Sequence, residues 1–186
     1  ASLVLSYNAP VVSSVGLSNA ASSGGMSLTV VGRGGMGSSD FSATASVGAS
    51  GCAASAWRSD SGVVCRSSGG MRGGAAVLVS SGVQRGSVSA AVSYDAPSVS
   101  SAGVSNVASS GAMSVSVSGR GMGASGPSAA GRVGGSACAA SAWRSDSGLV
   151  CRVGSGLLGG SGAIVSAGVQ RGSLSAAVSY DAPSVS

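Results

Sequence analysis

A segment that begins and ends with cysteine occurs twice, and the two copies contain all four cysteines, 13 positions apart in each copy. Its Ser-Asp-Ser-Gly portion favours a turn, because these side chains or a bare backbone satisfy local geometry. The Val-Val or Leu-Val that follows favours an extended strand. Each copy therefore predicts two strands joined by a turn, which suits a disulfide across neighbouring strands. We expect the pairs Cys52–Cys65 and Cys138–Cys151, each worth about 3 kcal/mol for a loop of this length.

Metal binding and free thiols are the alternatives for these cysteines. Zinc sites need Cys-x2-Cys pairs or nearby histidines, and the sequence has no histidine. The identical placement in both copies favours bonded pairs over free thiols. A tryptophan follows the first cysteine of each copy by five residues. We expect Trp57 and Trp143 to pack near the bridges as the largest core side chains.

The composition is poor in large and in charged side chains: aromatic residues make up 3% and charged residues 8%, while 33 residues are glycine. Small domains bury proportionally little surface, so a disulfide in each is a sensible supplement and indicates an extracellular or cell-surface location. A hydrophobic content of 44% with regular alternation favours a folded chain over a disordered one. No apolar run approaches the ~20 residues of a membrane helix, so we expect no membrane insertion.

An internal repeat organises the chain, because Tyr7-Asn8-Ala9-Pro10 recurs as Tyr94-Asp95-Ala96-Pro97 and as Tyr180-Asp181-Ala182-Pro183. Aligning the first copy with the second takes one gap, near Gly34, and gives 57 identities over 86 positions. This similarity indicates near-equivalent building blocks. The repeat predicts the last strand of a preceding unit (1–7), two complete units (8–94 and 95–180) and the first strand of a following unit (181–186).

Short strand signals bounded by Gly-rich turns fill each unit, and no helical period is sustained. About seven short strands per unit predict an all-β chain of two tandem immunoglobulin-like β-sandwiches. Proline at the start of each unit suits a first or edge strand, because it fixes φ and withholds a donor. The predicted strands of the first unit are roughly Val11–Val15, Met26–Val31, Phe41–Val47, Ala53–Trp57, Gly62–Arg66, Ala75–Ser80 and Val88–Tyr94.

A unit begins Ala-Pro-Ser-Val-Ser-Ser-Ala-Gly, continues through Gly-Arg-Gly-Met-Gly and Trp-Arg-Ser-Asp-Ser-Gly-Leu-Val-Cys-Arg, and ends in Val-Ser-Tyr. This order resembles the IPT/TIG repeat, the immunoglobulin-like module shared by plexins, transcription factors and surface proteins. The version with Cys, Trp and Ser-Asp is similar to tandem repeats of very large algal and protist extracellular proteins. Where the family often has Phe in the Gly-x-Gly-Phe-Gly turn, this chain has Met36 and Met122, and Phe41 is replaced by Pro127 in the second unit.

Catalytic and cofactor motifs are absent or incomplete. Gly32–Gly37 matches Gly-x-Gly-x-x-Gly, but a dinucleotide site needs a following helix, and a strand is predicted there. Arg58-Ser59-Asp60 lacks the His or Lys that activates a serine and the paired carboxylates of glycosidases, so we interpret it as an Asx-type turn. A single Asp at each unit junction, Asp95 or Asp181, is thin coordination for calcium. We expect no enzyme activity, no cofactor and no metal.

The net charge of +5 comes from evenly spread arginines, without the basic run or interleaved aromatics of nucleic-acid-binding proteins. We therefore predict no nucleic-acid partner. Most arginines recur at the same places in both units, which indicates a solvated face or a face repeated along a polymer to meet acidic glycans or a neighbour. No Asn-x-Ser/Thr sequon is present. O-linked glycans are the sugar attachment that composition and resemblance leave open.

Uniform units, near-zero linkers and the lack of a catalytic set predict a structural role, as a segment or subunit of an extracellular fibril, flagellar-hair-like appendage or cell-surface filament. Unpaired terminal strands need partners, so we expect head-to-tail strand pairing with copies of the chain or with adjacent repeats. The alternative is an adhesin or receptor ectodomain that binds glycan or protein through its loops. The residues assigned to these strands and junctions are Leu3, Leu5, Tyr7, Pro10, Tyr94, Pro97, Tyr180 and Pro183.

Overall fold

The computed structural model divides into two compact units, Ala1–Tyr94 and Asp95–Ser186. It describes residues 7–39, 43–124, 129–157 and 159–182. Strands, turns and bends account for the secondary structure of these residues, and none of them is helical. The prediction of an all-β, immunoglobulin-like tandem is therefore confirmed.

The described part of the first unit contains nine strands in two sheets. A four-stranded sheet has the order β1-β3-β7-β6, and a five-stranded sheet has the order β2-β9-β8-β4-β5. Neighbours are antiparallel except for the parallel pair β2–β9. The strands are β1 Val12–Val15, β2 Asn19–Ala20, β3 Ser27–Gly32, β4 Thr44–Val47, β5 Ser50–Gly51, β6 Ala54–Ser59, β7 Gly62–Arg66, β8 Ala75–Ser81 and β9 Gln84–Tyr94.

The second unit repeats this architecture over its described residues. Its sheets have the orders β10-β12-β16-β15 and β11-β18-β17-β13-β14, with β11–β18 as the parallel pair. The strands are β10 Ser98–Ala102, β11 Asn106–Val107, β12 Ser114–Arg120, β13 Ala129–Val133, β14 Ser136–Ala137, β15 Ala140–Ser145, β16 Gly148–Arg152, β17 Ser161–Ala167 and β18 Gln170–Tyr180.

The core of each unit lies between its two sheets. Successive side chains of a strand point to opposite faces, so β3 buries Leu28 and Val30 while Thr29 between them is exposed. The facing sheet contributes Val77 and Val79 from β8 to the same cluster. Each such side chain stabilises the fold by roughly 1.5–3 kcal/mol when fully buried. The core is thus made mainly of small aliphatic residues, as the composition requires.

Seven of the nine strands correspond to the seven predicted ones. The pattern missed β2 and β5, because two residues are too few to show alternation. The last strand begins at Gln84 rather than Val88 and passes through a bulge, where Ala90 adopts a positive φ of 49°. The predicted strand Phe41–Val47 is described from Thr44 onward, and Phe41 itself lies outside the described residues.

Candidate functional site

Both expected disulfides are present, with Cα–Cα distances of 5.7 Å for Cys52–Cys65 and 5.5 Å for Cys138–Cys151. Their setting differs from the predicted hairpin. The residue opposite Cys65 on β6 is Ser55, and Cys52 precedes that strand. The Cys52 N–H donates to the Ala45 carbonyl, 3.0 Å away, in the other sheet. The bridge therefore joins β7 to the point where the chain passes between the sheets, and the prediction of a bridge across neighbouring strands was wrong.

A serine three residues after the first cysteine completes this connection between the sheets. Ser55 Oγ accepts a hydrogen bond of 3.0 Å from the Ala45 N–H, and Ser141 Oγ accepts one of 2.9 Å from the Gly131 N–H. The same residue of β4 or β13 thus has its N–H and its carbonyl bound by the segment that begins at the first cysteine. Sequence analysis missed these serines, although the Cys-Ala-Ala-Ser spacing in both units was a signal for them.

The two tryptophans lie at the margin of the core rather than at its centre. Trp57 and Trp143 are partly buried and pack against the core clusters of their units. Their Nε1 atoms are buried and have no hydrogen-bond partner. Smaller residues are more deeply buried, namely Leu28, Met36, Met122 and Leu149 together with several valines.

The Asp of the Ser-Asp-Ser-Gly turn binds a distant loop. Asp60 Oδ1 accepts hydrogen bonds from the N–H groups of Gly35 and Gly37, at 3.1 and 3.0 Å. In the second unit, Asp146 Oδ1 accepts one from the Gly123 N–H at 2.8 Å. The interpretation as an Asx-type turn was therefore wrong, and it is the Ser59 hydroxyl that accepts the local bond, from the Ser61 N–H. The loop N–H groups of the Gly-x-Gly-x-x-Gly segment therefore already donate to an anion, the carboxylate of Asp60.

The methionines of the Gly-rich loops anchor those loops in the core. Met36 and Met122 are fully buried. The Met36 methyl group would lie 2.7 Å from a Cβ at Gly32, so a glycine is needed beside it. The Met36 N–H donates to the Asp60 carbonyl, which ties the loop to the β6–β7 turn. Methionine, unbranched and adaptable, fills the position where the family often has phenylalanine.

The tyrosines assigned to the junctions belong to the cores of their own units. The ring of Tyr94 is buried against Gly70, where no side chain would fit, and its hydroxyl donates to the Ser68 carbonyl at 3.1 Å. Burial raises the pKa of the Tyr94 phenol above its ordinary value of 10.0. Tyr180 is buried likewise and donates to the Gly154 carbonyl at 3.3 Å. Their assignment as junction residues is corrected accordingly, since their side chains serve their own units.

The remaining junction residues divide into three groups. Pro10 and Pro97 are buried within their own units, against Gly86 and Gly172. Tyr7 is 79% exposed, and its carbonyl accepts a hydrogen bond from the Gln84 side chain. The predictions for Leu3, Leu5 and Pro183, and with them the pairing of the terminal strands, lie outside the described residues.

The described residues contain no cluster of three or more His, Cys, Asp or Glu side chains able to hold a metal ion. Within the same ranges, no helix is long and apolar enough to cross a membrane.

The family model for the IPT/TIG domain matches residues 10–95. The first unit is an IPT/TIG domain. The second unit shares its strand order, its disulfide and its Asp-bound loop, so this IPT/TIG fold is repeated along the chain. No curated protein sequence matches the chain.

Solved structures resemble this IPT/TIG tandem at low sequence identity. A surface glycan-binding protein from Prevotella bryantii is 13% identical with a TM-score of 0.56, covering 92% of this chain and 42% of its own. The full extracellular region of plexin A4 is 16% identical with a TM-score of 0.46, covering 92% of this chain and 18% of its own. At such identity the first similarity shows the fold alone. The chain spans less than a fifth of the plexin region and less than half of the glycan-binding protein.

Two disulfides within two small domains point to an oxidising compartment, and hence to an extracellular or cell-surface location. The algal or protist subtype of the family stays a prediction.

Proposed function

We propose that the chain is a load-bearing repeat segment of an extracellular fibril, appendage or cell-surface filament. The observation that carries this proposal is that the first segment of a unit, residues 7–20 in the first unit, runs beside the last strand of that unit. The Gln84 side chain bonds to the Tyr7 carbonyl, Pro10 packs on Gly86, and Asn19 pairs with Ser93 in the parallel β2–β9 ladder. The first segment and β9 therefore run side by side in the same direction.

This arrangement determines how a unit responds to force. A pull on the two ends of a unit draws the first segment and β9 in opposite directions, so that they must slide past each other. Hydrogen bonds and packing along the whole contact then resist together, instead of failing one at a time. The second unit has the same contacts, with Pro97 on Gly172 and Asn106 paired with Ser179.

The polar side chains that recur between the units also support a structural role. Ser55, Asp60 and the Tyr94 hydroxyl each bind backbone groups of their own unit, and the second unit repeats all three contacts. A domain specialised for one ligand concentrates its distinctive residues in loops. Here the sequence that is most nearly invariant between the units is the disulfide segment, which holds the fold.

Force spectroscopy on the whole chain tests the mechanical part of the proposal. Each unit should open in one abrupt step, and reduction should lengthen each step by about 40 Å, because the 13-residue separation closed by each disulfide becomes extensible beyond the distance that the bridge already spans. The oxidised chain is the matched control. Gradual opening without a force peak would contradict a load-bearing role.

Negative-stain microscopy of native material tests the assembly. Filaments built from this repeat support the proposal, and isolated particles would contradict it. The second candidate function, an adhesin or receptor ectodomain that binds glycan or protein, is favoured by sequence differences between the units in residues 34–51 and 67–76. One structural neighbour is named a surface glycan-binding protein, which is consistent with that alternative.

A further inference from the structure

Two arginines recur at the same places on the outer face of the four-stranded sheet in both units, and in the second unit Arg120 of β12 lies on that face as well. A Cβ at Gly62 would point to the outer face and lie 3.9 Å from Arg58 Cβ and 3.4 Å from Ser59 Oγ, which places Arg58 on that face. Side chains alternate along β7, with Val63 and Cys65 buried, so Arg66 lies on the same outer face. Four residues of strand separate Gly62 from Arg66, or about 13 Å.

The side chains beside these arginines are small or aliphatic, with Val31 in the row of Gly62. Ala54 of β6 and Ser27 of β3 flank Arg66, and all three residues are exposed. The next row across the sheet is Ala56, Val64 and Thr29. The face is therefore flat, and both guanidinium groups are open to a ligand that lies along it.

The charge of this face is uniformly positive. The strands β3, β6 and β7 contain no acidic residue, and neither do β12, β15 and β16. The nearest Asp in the sequence, Asp60, directs its carboxylate to the Gly35 and Gly37 N–H groups. The second unit repeats the geometry with Arg144 and Arg152, and a Cβ at Gly148 would again lie 3.9 Å from Arg144 Cβ.

We propose that this arginine face, defined by Arg58 and Arg66 and by Arg144 and Arg152, binds an anionic polysaccharide that carries carboxylate or sulfate groups. The planar guanidinium fork matches such groups with two parallel hydrogen bonds. A flat, open sheet suits an extended polymer better than a small molecule, which prefers a concave pocket. Each unit carries its own copy of this face, so one chain offers two equivalent sites for such a polymer.

Nucleic acid fits the face less well. Proteins that bind single strands stack the bases on exposed aromatic side chains, and the outward-facing residues of β3, β6 and β7 include no aromatic one. Trp57, the aromatic residue of β6, packs against the core. The face supplies charge and hydroxyl groups without a stacking platform.

The test measures binding of the whole disulfide-bonded chain to heparin, polygalacturonate, neutral dextran and single-stranded DNA at physiological salt. The face variant carries Arg58→Ser, Arg66→Ser, Arg144→Ser and Arg152→Ser. The control variant carries Arg72→Ser, Arg85→Ser, Arg132→Ser and Arg171→Ser, and both lower the formal net charge from +5 to +1 by removing four arginines. We expect wild type to bind one or both acidic polysaccharides and not dextran. The face variant should bind the acidic polysaccharide about tenfold more weakly or worse, which corresponds to the loss of one charge-assisted contact. The control variant should keep an affinity near that of wild type.

A second measurement uses the wild-type chain and does not depend on the folding of a variant. Heparin should protect Arg58 and Arg66 from an arginine-specific reagent such as phenylglyoxal and leave Arg85 reactive. Equal losses in the two variants or equal protection of all arginines would overturn the proposal, because they indicate attraction by net charge alone. Absence of wild-type binding to both acidic polysaccharides, or stronger binding to DNA than to either of them, would overturn it as well.

Discussion

The two units fill the space beside their disulfides with different pairs of residues. The first unit has Ala45 and Val63, both buried, and the second has Gly131 and Leu149 at the same positions. A Cβ at Gly131 would lie 3.0 Å from Leu149 Cδ2 and 2.9 Å from Cys138 Sγ. The larger leucine thus uses the space that the alanine methyl group takes in the first unit.

A second pair follows the same rule. Val77 and Val88 are register partners across β8 and β9, and their counterparts Ala163 and Leu174 are partners across β17 and β18. From the first unit to the second, one position loses two carbon atoms and its neighbour gains one. Because protein interiors are close-packed, a change in volume at one site must be compensated nearby. The comparison teaches that a change in size at one core position is offset by an opposite change at its neighbour, in full in the first pair and in part in the second.

The largest expected effect comes from the disulfides. Replacing Cys52 and Cys65 by Ala should destabilise the first unit by about 3 kcal/mol, and replacing Cys138 and Cys151 should cost the second unit the same, because the closed loops are equally long. Hydrogen exchange of peptides from each unit measures the two losses separately. A large inequality would show that the packing beside the bridge, and not loop closure, sets the value of the bridge.

The paired packing itself is tested by Gly131→Ala. The new methyl group is too close to Leu149 and Cys138, so we expect a loss of about 2 kcal/mol, typical of an overpacked core. Adding Leu149→Val should recover most of it, which a double-mutant cycle on unfolding free energies measures. Val63→Leu in the first unit is the matched change, and Ala45→Gly should offset it. Strict additivity in both cycles would refute the compensation.

The Asp-bound loops give the next effect. Asp60→Ala removes the acceptor of the Gly35 and Gly37 N–H groups, and at this exposed site we expect a loss of about 1.5 kcal/mol. Asp146→Ala is the matched change in the second unit, whose loop is one glycine shorter. We expect a lower melting temperature in thermal unfolding. Amide hydrogen exchange should become faster only in the loop of the altered unit. An unchanged melting temperature would mean that water replaces the carboxylate without cost.

The smallest effect concerns one backbone conformation. Ala112 has a φ of +67°, and its counterpart in the first unit is Gly25, with a φ of +82°. A left-handed conformation costs a residue with a Cβ roughly 1–2 kcal/mol. Ala112→Gly should therefore stabilise the second unit by up to about 1 kcal/mol, after the greater freedom of glycine in the unfolded chain is subtracted. Gly25→Ala should destabilise the first unit by a similar amount. Chemical denaturation measures both changes, and a destabilising Ala112→Gly or a stabilising Gly25→Ala would disprove this account.

Local sequence patterns correctly predicted the structural features that depend on residues close together in the sequence. Alternation located the longer strands, and the matched cysteine spacing gave the correct bonded pairs. The same spacing gave a wrong prediction for the strands that the bridge connects, because nothing in the local sequence indicates that the chain passes from one sheet to the other at Cys52. Asp60 was likewise assigned to its own turn, whereas its partners lie 23 and 25 residues earlier. Contacts at that separation arise only when the sandwich closes.

Burial was the harder quantity to predict. Tryptophan is the largest residue in each unit and was expected to be the largest core side chain, beside the bridge, but Trp57 lies on β6, at the edge of its sheet, where only part of the ring is covered. Tyr94 was assigned to a junction from its place in the repeat. Gly70 provides the space in which its ring packs, and that pairing joins residues far apart in sequence.

The compensated pair beside the disulfide also limits how the gene can change. Repeats as similar as these invite unequal crossing-over, in which one copy continues into the other partway through. A crossover between the codons for residues 45 and 63 would join an alanine to a leucine, which is overcrowded, or a glycine to a valine, which leaves a void. A crossover outside that interval transfers the matched residues together. Recombination between these repeats is therefore expected to leave well-packed products mainly when its breakpoints fall outside this interval and outside the codons for residues 77 to 88, which hold the second pair.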